Sequence, residues 1–187
     1  MVQRGARHTA AHARSPTGMN ERIHLLQQIP VFGGISGEAL EFLLSLSRQT
    51  IVARGDYFFR EGERGSSMFV LESGRADVIR RWEDEDIVLG RLDEGDCFGE
   101  MALIDFCRRS ASVRAVTDAV AIEISAPALH QLYKKDLEQF ALIQMNMGRE
   151  VSRRLRTADR RLFEAQRTGH ASEWAGPETD PGSAGDG

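Results

Sequence analysis

A chain of 187 residues with 41% hydrophobic content is long enough for one domain with appendages and apolar enough to bury a core. Its formal net charge of −4 is too small for the overall field to recruit nucleic acid. No apolar run approaches the roughly 20 residues that span a bilayer, and no h-region marks a secretory signal. The two cysteines, Cys97 and Cys107, show neither metal-ligand nor CxxC spacing, so reduced thiols in a cytoplasmic protein are expected.

In chain order, residues 1–18 carry Arg4, Arg7 and Arg14 without an acid or any periodicity, and a disordered tail is expected there. A domain with flanking helices is expected over 19–135. A short helix is predicted over 21–28, closed by Pro30. Ser36 is placed to cap a second helix, in which Leu40, Leu43 and Leu44 share a face. From 48 to 125 short β-branched and aromatic runs alternate with turns marked by Gly55, Gly62, Gly65, Gly74 and Gly95. The runs 50–53, 57–60, 68–72, 76–81, 87–92, 111–116 and 120–124 read as strands. In the last of them Val120, Ile122 and Ile124 are expected on one face. This texture predicts a mainly β protein with flanking helices, a β jelly roll.

Helical periodicity returns with Leu129, Leu132 and Tyr133, where Pro127 fits a first turn. Asp136 can cap a long C-terminal helix over 136–166, roughly 45 Å if continuous. Its apolar positions are Phe140, Ile143, Met147, Val151, Leu155, Ala158 and Leu162, and a homodimer through this helix is a natural use of them. A disordered acidic tail is expected over 167–187.

One segment breaks the strand texture. Gly99-Glu100-Met101-Ala102-Leu103-Ile104 reads as a short helix entered from a strand, and Arg109-Ser110 follows. A helix start offers unsatisfied N–H donors, and Gly99 leaves room for an anion to approach them. Arg109 supplies a planar five-donor fork and Ser110 a hydroxyl, completing a phosphate niche. Glu100 would repel a bare phosphate. It fits a ligand with hydroxyls beside its phosphate, as in a ribose, which points to a nucleotide.

These residues resemble the phosphate-binding cassette of cyclic-nucleotide-binding domains, found in catabolite activators, protein-kinase regulatory subunits and cyclic-nucleotide-gated channels. Glu61-Gly62, Gly65, Met68-Phe69-Val70 and Gly74 resemble the same family's glycine-marked turns. The resemblance implies a jelly roll of about eight strands, with cyclic AMP or cyclic GMP as ligand and no other cofactor or metal. It implies that Glu100 binds the ribose 2′-hydroxyl and that Arg109 neutralises the phosphate. Ser110 and the amides around Gly99, Met101 and Ala102 would assist, and the long helix would close over the base. Arg108 stands where many members have proline and is expected to face solvent. In the long helix, Asp159 falls where the base would be covered. A carboxylate there can accept two hydrogen bonds from guanine and would favour cyclic GMP; cyclic AMP is otherwise the default.

Two isolated histidines, His24 and His130, and a lone Glu100 form no catalytic constellation, so no enzyme is expected. The arginines of the long helix are interrupted by Glu150, Asp159 and Glu164 and lack interleaved aromatics, so direct DNA binding is not expected. Nor does the sequence past Gln166 offer a helix-turn-helix. The expected role is a sensor acting on an unknown protein effector. The alternatives are a ligand-free interaction module of the same fold, or a regulatory subunit of a separate enzyme or channel.

Overall fold

The computed structural model describes residues 18–173, with side chains to Arg167. Of the expected tails over 1–18 and 167–187, residues 1–17 and 174–187 lie outside the described residues, and 167–173 are helical instead. The chain forms two compact units, one ending at Met147 and one starting at Gly148.

In the first unit, α1 (Met19–Gln28) begins earlier than predicted because the Glu21 carboxylate accepts the Gly18 N–H at 3.0 Å. Pro30 both closes α1 and opens a 3-10 turn, Pro30–Phe32. α2 (Gly37–Ser45) is capped as expected, with Ser36 Oγ accepting the Ala39 N–H at 3.2 Å. Eight strands follow: β1 (Arg48–Val52), β2 (Tyr57–Phe59), β3 (Ser67–Ser73), β4 (Ala76–Trp82), β5 (Glu85–Leu92), β6 (Cys97–Phe98), β7 (Ser112–Ala115) and β8 (Ala119–Ser125). A single helical turn, α3 (Met101–Ile104), interrupts them between β6 and β7, and α4 (Ala126–Lys135) succeeds β8. The strands form two four-stranded antiparallel sheets, ordered β1-β8-β3-β6 and β2-β7-β4-β5. This is the predicted jelly roll.

The sheet β1-β8-β3-β6 is covered on both faces, and this divides the core in two. Met68, Val70, Cys97, Ile122 and Ile124 pack against Leu26, Phe32, Leu40, Leu43 and Leu132 of the helical elements. One residue along each strand, Phe69, Leu71, Phe98, Ala119 and Ala121 pack against Val113 and Ala115 of the second sheet. Strand period two thus feeds two cores at once. Ile122 and Ile124 share a core, but Val120 is only half-buried, opposite a register shift in β3 between Leu71 and Ser73.

α5 (Leu137–Glu173) is continuous and runs past the predicted end at 166. A lone helical glycine such as Gly169 costs about 1 kcal/mol relative to alanine, which does not stop an established helix. Within the first unit, Ile143 and Met147 are buried in the helical core. Asn146 donates to the carbonyls of Val31 (3.2 Å) and Gly33 (2.9 Å), tying α5 to the 3-10 turn. The second unit is helical from Gly148. On it Leu155, Leu162 and Phe163 are 61%, 60% and 61% exposed, and Glu150 accepts from Arg153 and Arg154.

Candidate functional site: a buried guanidinium at the β6–α3 bend

Arg109 lies in the loop before β7 rather than at a strand start, and its side chain enters the barrel. It is only 6% exposed. Its guanidinium lies over the ring of Phe59 at 4.0 Å and near that of Phe69 at 5.7 Å. Phe69 in turn stacks on Phe98 with centroids 5.3 Å apart. An aromatic floor attracts a cation weakly but offers no hydrogen bond. Arg109 Nη1 donates to the Gly99 carbonyl at 2.8 Å, and Nη2 to Ser67 Oγ at the long distance of 3.4 Å. Nε–H is buried and has no acceptor among the described residues. Burial holds the Arg109 guanidinium below its ordinary pKa, against the opposing pull of Glu123, Glu63 and Glu100.

Two glycines make room for this side chain. Gly99 has φ +79°, and a Cβ there would sit 2.6 Å from Arg109 Nη1. At Gly65 a Cβ would collide with the Arg109 guanidinium outright. Glu100, 2% exposed, is the N-cap of α3, and its carbonyl accepts the Leu103 N–H at 2.9 Å. Gly99, Glu100 and Arg109 are therefore brought together as the sequence suggested. The short helix, however, begins only at Met101 and is one turn long. So short a helix adds little dipole field, and the niche rests on Arg109 more than on helical amides. Ala102 is buried beneath it, while Met101 and Ser110 lie on the exposed side, with Ser110 Oγ 3.9 Å from Met101 Sδ. Arg108 is exposed, its Nη1 donating to the Gly62 carbonyl at 2.7 Å. Asp159 belongs to the second unit and is exposed there.

Sequence reasoning did not single out Phe59 or Ser67. Both reach the niche only because β2 and β3 point them inward, and inward parity in a distant strand carries no local mark. Among the described residues no group of side chains is placed to hold a metal ion, and no helix is long and apolar enough to cross a membrane.

Fold and niche together define the class: an antiparallel β roll with a buried guanidinium over an aromatic floor and a buried carboxylate acting on it. Residues 49–136 match the family model of the cyclic nucleotide-binding domain, so the chain carries a domain of that family over those residues. It is 29% identical over 134 residues to the cyclic AMP receptor protein of Thermus thermophilus, covering 71% of this chain and 60% of that protein. It is 30% identical over 131 residues to an uncharacterised NTE family protein of Mycobacterium bovis, covering 70% of this chain and 21% of that one. The chain thus spans less than two thirds of the length of both relatives. Among solved structures, a cyclic nucleotide-binding domain from Methylobacillus flagellatus superposes with a TM-score of 0.70 at 23% identity, covering 79% of this chain and 83% of that one.

Proposed function

We propose that the chain is a cyclic-nucleotide sensor in which Arg109 binds the cyclic phosphate and Glu100 the ribose 2′-hydroxyl. The observation that carries this reading is the buried guanidinium with an unsatisfied Nε–H. A buried charge without a counter-ion is unfavourable by several kcal/mol, and a phosphate oxyanion supplies both the missing charge and the missing acceptor. Ser110, Met101 and Ala102 would complete the phosphate shell. The reading makes no use of catalysis and places the protein in the cytoplasm.

Cyclic AMP is the expected ligand, in line with the name of the Thermus relative. A base contact from Asp159 would instead turn the preference to cyclic GMP. Occupancy would be signalled to a protein effector by a change in the C-terminal helix, because the ligand shifts the population toward the conformation that it binds better. A homodimer through Val151, Leu155, Ala158 and Leu162, spaced in threes and fours as in a coiled coil, fits the exposure of Leu155 and Leu162. Calorimetric titration with both nucleotides tests the reading. Wild type should bind one of them, and Arg109→Ala neither. Equal silence from wild type would favour a ligand-free interaction module. A preference for cyclic GMP that persists in Asp159→Ala would clear that residue of base reading.

A further inference from the structure

Arg109 keeps a buried Nε–H without an acceptor, yet a carboxylate stands on the same face of the adjoining sheet. In the pairing of β3 with β8, Glu123 lies directly opposite Phe69, one of the two rings beside the Arg109 guanidinium. Ser67, which accepts from Arg109 Nη2 at 3.4 Å, is the next residue of β3 on that face. Glu123 therefore faces one β3 neighbour of Arg109 and is diagonal to the other, within side-chain reach of both. Of the carboxylates that act on Arg109 through space, it acts most strongly.

A buried guanidinium with a spare donor and a carboxylate so near are expected to pair, because a buried charge left alone is unfavourable. They do not pair. Arg48, opposite Glu123 on the edge strand β1, donates to Glu123 Oε2 through Nε at 2.8 Å and to Oε1 through Nη2 at 3.0 Å. Thr50 donates to Oε2 at 3.0 Å. Both carboxylate oxygens are thus held at the sheet edge by a planar fork. We propose that Arg48 is a positioning residue for the niche: by holding Glu123 at the sheet edge it keeps Arg109 open to an external anion. The proposal rests on the nucleotide reading above and explains why a niche with a carboxylate so near is not closed from within. Released from Arg48, Glu123 turns inward and pairs with Arg109, and nucleotide has to displace it. Affinity then falls by the fraction of molecules left open, about tenfold if roughly one in ten is open.

The test compares the full chain as wild type, Arg48→Met, Glu123→Gln and the double variant Arg48→Met/Glu123→Gln. The Arg48 side chain is 78% exposed, so the methionine variant should fold, as thermal unfolding checks. In equilibrium binding of a fluorescently labelled cyclic AMP, Arg48→Met should bind about tenfold more weakly. Glu123→Gln should bind close to wild type. The double variant should recover to the same level, because glutamine carries no charge with which to hold Arg109. Salt screens a lost surface charge strongly and a pair inside the barrel little, so the loss in Arg48→Met should persist at high salt. Without ligand, the Arg109 Nε–H resonance, assigned by its absence from Arg109→Met, should move in Arg48→Met and return in the double variant. Three results would overturn the proposal: unchanged affinity in Arg48→Met, a double variant no tighter than the single one, or a loss that vanishes with salt. The second would trace the effect to the sheet instead of Glu123, and the third to the field of Arg48 alone. If wild type binds neither cyclic nucleotide, the nucleotide reading falls, and the resonance still decides whether Arg48 keeps the two charges apart. An unmoved resonance beside normal binding by wild type sinks the role of Arg48 alone.

Discussion

At the scale of single residues, Arg109 is held by groups too few for its charge. Replacing buried charge with apolar side chains is often neutral or stabilising by about 1–4 kcal/mol. Arg109→Met should therefore melt no lower than wild type without ligand, while losing the shift that nucleotide confers. Removing one partner of a desolvated charge pair costs about 2–5 kcal/mol, so affinity should fall roughly 30-fold or more; thermal unfolding with and without cyclic AMP reads both effects. Glu100 makes a narrower prediction. A hydrogen bond to a charged group is worth about 1.5–3 kcal/mol, so a 2′-deoxy nucleotide should bind wild type that much more weakly. Against Glu100→Gln the deoxy penalty should largely vanish; if it persists, another group reads the hydroxyl. The approach of Arg109 to Gly99 was legible in the sequence because both lie close along the chain, on either side of one short helix. Ser67, Phe59 and the role of Gly65 were not, since they meet Arg109 only through pairing between distant segments.

At the scale of elements, two glycines of similar appearance do different things. A Cβ at Gly65 meets only the Arg109 side chain, whereas one at Gly74, with φ +91°, meets the Asp118 carbonyl oxygen at 2.5 Å and Ala119 Cβ at 2.9 Å. A long side chain can move aside and backbone cannot. Gly65→Ala should weaken nucleotide binding with little loss of stability. Gly74→Ala should cost about 1–3 kcal/mol of stability with no selective effect on binding; denaturant midpoints and titrations separate the two. The pairing of β1 with β8 carries a pH signature. The hydrogen bond from Arg48, with a further one from Thr50, holds the Glu123 carboxyl below the ordinary carboxylate range. A depressed carboxylate stabilises the fold above its unfolded pKa, and that contribution disappears as pH falls through the lower folded value. Glu123→Gln should thus be less stable than wild type near neutrality, with the gap closing in acid, as urea midpoints across pH would show. Seven of the eight strands were legible from alternation and turn glycines. β6, of two residues, is too short to carry a period, and the order of strands in the sheets depends on pairings that no local pattern encodes.

At the scale of the whole molecule, binding and folding are linked. A ligand at about 100 times its Kd adds about 2.7 kcal/mol to stability, and a domain of this size shifts by roughly 2–4 °C per kcal/mol. Saturating nucleotide should therefore raise the Tm by several degrees. Leu155→Asp with Leu162→Asp should lower the mass seen by sedimentation if the helix dimerises, without touching the Tm shift that nucleotide confers. The long helix was legible as an amphipathic stripe, and its end was not, because a single glycine is a weak stop.

Strand β3 gives these scales a common member. Ser67 and Phe69 face the niche, while Met68 and Val70 belong to the helical core one residue away. The strand is a party wall between two packed rooms. A wall moves as one piece, so a shift of the peptide on the ligand side is felt at once on the other side, with no relay of side chains between them. A methyl label on Met68, out of reach of any nucleotide, should hear it arrive.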